Sequence, residues 1–222
     1  MQIKRMITHL SLLLLAFCLL TGCVPHDSGS DIPDWMWPKT SFEEKTEATV
    51  VSTGLTFVSN GNGTCRLTGR GTCLDTELVI PAVSPAGDRV VALGVEAFLG
   101  CTDITSVVLP VGVEHIGEAA FSGCESLEDI HVPDRLEKIG AQAFWGCKAL
   151  REIRIPAATV EIGEMAFYGC RRLKTAIFER TKGWRVTLDE DEQIKLDKES
   201  LSDPEQAADL LKDDHVYEHW SR

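Results

Sequence analysis

No apolar stretch in this chain is long enough to cross a bilayer as a helix. The longest, Leu10–Leu20, has eleven residues, about 16 Å of helix against a hydrocarbon core of about 30 Å. Basic charge is also scarce: 22 Lys and Arg stand against 34 Asp and Glu, for a formal net charge of −12. Nucleic-acid phosphates would repel such a chain, so nucleic-acid binding is excluded as a main activity. Charge alone would not hold it on an anionic membrane either. The sequence contains no G-x-S-x-G nucleophile turn, no phosphate-binding P-loop and no G-x-G-x-x-G dinucleotide fingerprint. No cofactor is therefore expected, and no catalytic residue is assigned. The 222 residues, 44% of them hydrophobic, are enough for a real core.

The chain opens with Lys4 and Arg5, the apolar run, and then Leu20-Thr21-Gly22-Cys23. A basic start followed by a short apolar segment reads as an export signal. Its end resembles the bacterial lipobox, in which small residues admit the peptidase and the thiol accepts lipid. The resemblance implies cleavage after residue 22 and a lipid anchor on Cys23, which places the chain in a bacterial cell envelope, exposed on the outer surface. Cleavage removes Lys4 and Arg5 and no acid, moving the formal charge from −12 to −14. Residues 23–40 come next as anchor and tether, rich in polar and chain-breaking residues. Trp35 and Trp37 in that segment fit the lipid interface, the first strand of the domain, or neither.

A repeat of 23 residues organises the central part of the chain. Phe98, Phe121, Phe144 and Phe167 are 23 apart; Cys101, Cys124, Cys147 and Cys170 keep the step, as do Gly100, Gly123, Gly146 and Gly169. Ile116-Gly117, Ile139-Gly140 and Ile162-Gly163 recur too, with Leu93-Gly94 one period earlier. The pairs Val107/Leu109, Ile130/Val132 and Ile153/Ile155 alternate as the buried face of a strand should, and Pro110, Pro133 and Pro156 end each strand. The expected coil is a strand, a turn at Ile-Gly with Gly at positive φ, and an irregular Ala-Phe segment opposite. Stacked coils would form one parallel sheet, with Phe side chains as a spine.

Gly117-Glu118-Ala119-Ala120-Phe121-Ser122-Gly123-Cys124-Glu125-Ser126-Leu127 is one full instance of the motif, with others at 140–150 and 163–173. The pattern resembles the BspA-like (Treponema-type) leucine-rich-repeat family. The resemblance implies a leucine-rich-repeat solenoid of α/β-type repeats, with parallel strands on one face. It divides the chain into an N-terminal cap at 41–77, repeats at 78–178 and a C-terminal cap at 179–222. Asn60-Gly61-Asn62-Gly63 fits a hairpin turn in the first cap. In the second, Ser202-Asp203-Pro204-Glu205 has a capping-box spacing, with Ala207, Leu210 and Leu211 on one face of the helix after it. In the last repeat Glu179 stands where Pro would and Ala176 replaces a larger residue, as suits a terminal coil.

An exported compartment permits a disulfide between Cys65 and Cys73, and two buried thiols are the other possibility. The repeat cysteines point in parallel and read as a reduced core ladder. His215-Val216-Tyr217-Glu218-His219 matches the H-x-x-E-H pattern of one zinc peptidase class, but no third ligand lies downstream, and surface histidines on a last helical turn are the preferred reading. No metal site is assigned. Asp189-Glu190-Asp191-Glu192 lacks the spacing of a calcium loop and reads as a solvated turn.

A solenoid without a site works through its surface. If Val107 and Leu109 point inward, the outward columns are Glu77, Ser106, Asp129, Glu152 and Thr175, and beside them Val79, Val108, His131, Arg154 and Ile177. These ten are the candidate binding face, and the resemblance implies a protein or glycan ligand and an adhesin-like role. An envelope scaffold without an external ligand is the alternative, and a zinc peptidase a remote third.

Overall fold

The computed structural model describes residues 50–189 and 192–222; the lipobox, Cys23 and the tether with Trp35 and Trp37 lie outside them. A hairpin of β1 (Thr56–Ser59) and β2 (Thr64–Gly69) comes first, its strands antiparallel across the Asn60–Gly63 turn. Two series of strands then alternate along the chain. One comprises β3 (Glu77–Val79), β5 (Ser106–Val108), β7 (Asp129–His131), β9 (Glu152–Ile155) and β11 (Thr175–Phe178). The other comprises β4 (Arg89–Leu93), β6 (His115–Ile116), β8 (Lys138–Ile139) and β10 (Glu161–Ile162). After them come β12 (Arg185–Asp189), β13 (Glu192–Lys195), the helices Lys198–Ser202 and Pro204–Asp209, a π-helical turn at Leu210–Asp214 and β14 (His219–Ser221).

The result is a parallel solenoid of about five coils with a 23-residue step. It carries two ladders where the sequence suggested one. In the first, Leu78, Val107 and Ile130 pair across β3, β5 and β7, and Ile153 pairs with Ala176 across β9 and β11. Between β7 and β9 this ladder is interrupted. The second ladder joins Leu93, Ile116, Ile139 and Ile162 in adjacent coils. The isoleucine of each Ile-Gly pair thus ends a strand of two residues, too short to leave an alternating pattern. Both sets of apolar residues are buried, in one core with the aromatic spine. Its rings Phe98, Phe121, Phe144 and Phe167 are spaced 5.3, 5.4 and 5.2 Å, within 11° of parallel. No coil could bury these rings alone, so stacking is what removes them from water.

The glycine after each isoleucine serves close approach rather than a turn at positive φ. A Cβ on Gly117, Gly140 or Gly163 would lie 2.5, 2.6 or 2.3 Å from backbone atoms of the preceding coil. The left-handed positions are elsewhere. Gly100, Gly123, Gly146 and Gly169 have φ of 69 to 76°, and so, unexpectedly for their types, do Glu96, Ala119, Gln142 and Met165 at 50 to 56°. A non-glycine residue in that region costs about 1–2 kcal/mol. The bonds made there offset it: the N–H groups of Glu96, Ala119 and Gln142 each donate to the next coil at 2.9 Å. Neighbouring N–H groups of the Phe and Gly columns do the same at 2.7–2.8 Å, so the irregular side of each coil is tied as firmly as its strands.

The ends of the stack carry different elements. β2 pairs parallel with β4 at one end. At the other, β14 runs antiparallel to both β10 and β12, with Trp220 opposite Ile162 and Val186. The helix Pro204–Asp209 packs on β11, burying Ala207 and Ala208. Its N-cap is Asp203, whose carboxylate accepts from Glu205 and Gln206 N–H groups, while Ser202 turns back to Lys198 O and closes the preceding helix. The expected Ser202 capping box therefore does not form; Asp203 is the better placed acceptor. Glu179 also has a structural task. Its carboxylate accepts from the Ala157 N–H at 2.8 Å and from the guanidinium of Arg154. An acidic residue in the Pro column thus pins the last coil to the one before it.

Candidate binding face

The ten outward residues lie on the first ladder, in register. Glu77, Ser106 and Asp129 are direct neighbours across β3, β5 and β7, as are Val79, Val108 and His131; Glu152 and Thr175 match across β9 and β11, as do Arg154 and Ile177. None is in the core. Glu77, Val108, Asp129, His131 and Glu152 are exposed, and Val79, Ser106, Arg154, Thr175 and Ile177 are half-buried. Two features change their reading. The interruption between β7 and β9 separates the first three rows from the last two. Arg154 is occupied internally, its guanidinium meeting Asp134 at 2.5 Å, Glu179, and the Val132 carbonyl oxygen at 3.2 Å. That many partners make Arg154 a brace rather than a free contact group.

Cys65 and Cys73 stand as free, buried thiols. Cys65 lies in β2 with its Sγ 3.6 Å from the Asp88 carbonyl oxygen, while Cys73 comes after the turn that Arg70 Nε holds through Cys73 O at 2.8 Å. The repeat cysteines show why their type recurs. The Cys124, Cys147 and Cys170 thiols donate at 3.2 Å to the carbonyls of Phe98, Phe121 and Phe144 in the preceding coil. Each is a small hydrophobe that also satisfies a buried acceptor. Burial pushes the Cys124 and Cys170 thiols up to about 12, and Cys147 higher still.

The H-x-x-E-H residues are not arranged as ligands. His215 comes after the π-helical turn and His219 opens β14, so they share no helix face. This also corrects the placement on a last helical turn. His215 Nδ1 is 3.8 Å from Glu218 Oε2, and the His215 ring stands edge-on to Trp220; His219 Nε2 is 4.0 Å from Glu161 Oε1. Among the described residues no three His, Cys, Asp or Glu side chains are gathered as a metal would need. Of the acidic run, Asp189 and Glu192 are partners in the β12–β13 hairpin; Glu190 and Asp191 lie outside the described residues. No described helix is long and apolar enough to cross a membrane.

One surface was missed by the sequence reading. In the column after the buried Phe stand Leu99, Ser122, Trp145 and Tyr168, and Trp145 and Tyr168 are 42% and 38% exposed with rings 6.3 Å apart. Tyr217, just before β14, continues the row at 5.7 Å from Tyr168 and is 61% exposed. Reading the 23-residue columns would have found the first two. Tyr217 comes from outside the repeat and had no such signal.

Comparison with known proteins agrees with this architecture. The BspA type leucine-rich-repeat region model matches residues 91–183 in six copies. A leucine-rich-repeat protein from Bacteroides capillosus is 32% identical, with a TM-score of 0.50, over 60% of this chain and all of its own. The chain therefore belongs to the BspA-type leucine-rich-repeat family. A leucine-rich-repeat protein of T. pallidum is 25% identical over 57% of this chain and 70% of its own, TM-score 0.47. A leucine-rich cell surface protein from Faecalibacterium prausnitzii is 19% identical over 67% and 58%, TM-score 0.41. None of the curated proteins matches significantly.

Proposed function

We propose that the chain is a lipid-anchored module of the bacterial cell surface that binds a protein or glycan through the exposed side of its repeats. The observation that carries this is the register of the outward columns: equivalent residues of successive coils meet as direct neighbours, so the short strands β3, β5 and β7 add up to one face of mixed acidic and apolar groups, and β9 and β11 to a second. Repeat stacking of this kind suits extended recognition rather than chemistry at a point. The lipobox at Leu20–Cys23 supplies the anchor in this reading. Replacing Cys23 by Ser is the test of anchoring: the chain should move from the membrane fraction to the soluble one, and unchanged fractionation would sink the lipid anchor. An envelope scaffold would keep the anchor but face away from the medium. Added protease reaches a displayed domain on intact cells and not a hidden one, which separates the two.

A further inference from the structure

The chain is strongly acidic, yet one region of its last coils is not. Lys148, Arg151, Arg171, Arg172 and Lys174 stand at exposed positions on the segments between the Phe column and the first ladder. Two carboxylates answer them: Glu125 meets Lys148 at 2.7 Å and Glu128 meets Arg151 at 2.9 Å. Among the described residues no carboxylate oxygen lies within 4.0 Å of the Arg171, Arg172 or Lys174 head groups. The acids of the nearby helical segment, Asp209 and Asp213, are drawn to Lys212 instead. Three positive charges therefore remain uncompensated beside a shallow depression of about 490 Å³ that Lys148 and Arg172 help to line.

The exposed aromatic row adjoins this patch. Trp145 precedes Lys148, and Tyr168 precedes Arg171, by three residues, and each cation sits in a tight turn (Lys148 N–H to Gly146 O at 2.8 Å, Arg171 N–H to Gly169 O at 2.9 Å). Three residues of chain span at most about 10 Å, which keeps the exposed Lys148 and Arg171 within that backbone distance of the exposed rings of Trp145 and Tyr168. Exposed aromatic rings take the C–H faces of sugars, and guanidinium groups take carboxylates or sulfates through paired hydrogen bonds. The net charge of −12 would repel a polyanion from the protein as a whole, which favours a site where cations are gathered.

We infer that the row Trp145, Tyr168 and Tyr217, with the cations Arg171, Arg172 and Lys174, is a binding site for an acidic polysaccharide carrying sulfate or uronate groups. The inference rests on the reading of the chain as a binding module but not on where the cell displays it. The test uses the full chain in detergent and immobilised heparin, with neutral dextran and poly-glutamate as competitors. Retention should weaken with salt and yield to free heparin alone. Joint Arg171→Ala, Arg172→Ala and Lys174→Ala replacement should weaken binding about tenfold or more. Trp145→Ala and Tyr217→Ala should each weaken it roughly threefold. Arg66→Ala, an exposed cation on β2, should not matter. Wild-type binding of the triple variant, with its far-UV spectrum unchanged, would overturn the site. Undiminished binding by both aromatic variants would leave only diffuse charge. Equal competition by poly-glutamate would assign the patch to an acidic polypeptide, and equal competition by dextran would remove the need for charge. Failure of the unaltered chain to bind heparin would overturn the inference while leaving the module reading to the protease experiment.

Discussion

Replacing Gly140 by Ala tests whether coil spacing, rather than turn conformation, fixes the Ile-Gly column. The new Cβ would sit 2.6 Å from Glu118 N, 2.7 Å from Gly117 C and 2.9 Å from Glu118 Cα, where ordinary contacts begin at 3.4 Å. All three are backbone atoms and cannot rotate away. The coils must separate by roughly 0.5–1 Å, an overpacking strain of about 1–3 kcal/mol. Separation also stretches the Gly140 N–H bond to Ile116 O and the Ala119 N–H bond to Ala141 O, both 2.9 Å, at about 1 kcal/mol each. Ala returns about 0.5–1 kcal/mol through the unfolded chain. The net loss is about 3 kcal/mol, or roughly 6–12 °C of Tm for a domain of this size. The control is Gly61→Ala, where φ is +79° but nothing lies within 4 Å; it should cost about 1–2 kcal/mol, from backbone conformation alone. Urea unfolding followed by far-UV circular dichroism measures both. If Gly140→Ala is no more harmful than Gly61→Ala, the close-approach explanation is wrong.

Other consequences are equally specific. Phe144→Ala removes a fully buried ring stacked on both sides and should cost about 3–5 kcal/mol; a loss below about 1 kcal/mol in the same urea assay would mean that the spine does not hold the coils together. Glu179→Ala orphans the Ala157 N–H and strips Arg154 of a partner. Its cost should be about 1–3 kcal/mol, and a double-mutant cycle with Arg154→Ala should show coupling rather than additivity. The Cys124, Cys147 and Cys170 thiols, raised by burial, should resist iodoacetamide at pH 8 in native protein and react in urea, as mass spectrometry reports. Because these folded-state values lie above the unfolded one, stability should hold below pH about 9 and fall as pH rises from there towards about 12. A rise in stability over that window would contradict the burial.

The 23-residue period was legible because one structural unit is repeated and each column has a single physical task. The buried partners of β5, β7 and β9, the Phe spine and the outward register all derive from it. The second ladder was hidden because strands such as His115–Ile116 and Lys138–Ile139 have only two residues, and periodicity needs at least four. The Ile-Gly glycines recur equally well for a turn or for a close approach, and sequence cannot separate these; the backbone distances do. Glu179 looked like decay of a terminal repeat, whereas its carboxylate occupies a defined place between Arg154 and Ala157. The H-x-x-E-H match presumed one helix, and the chain instead leaves its π-helical turn before His215 and enters a strand at His219. Of the aromatic row, Tyr217 reaches the repeat through contacts between distant segments, the Met165 N–H bond to the Val216 carbonyl oxygen and the pairing of β14 with β10.

The most direct measurement of the central claim is protease treatment of intact cells, with the chain followed by antibody. A displayed module should be released or trimmed from intact cells, while a periplasmic control protein stays whole. Protection of the chain until the cells are broken would contradict surface display and turn the search towards partners inside the envelope.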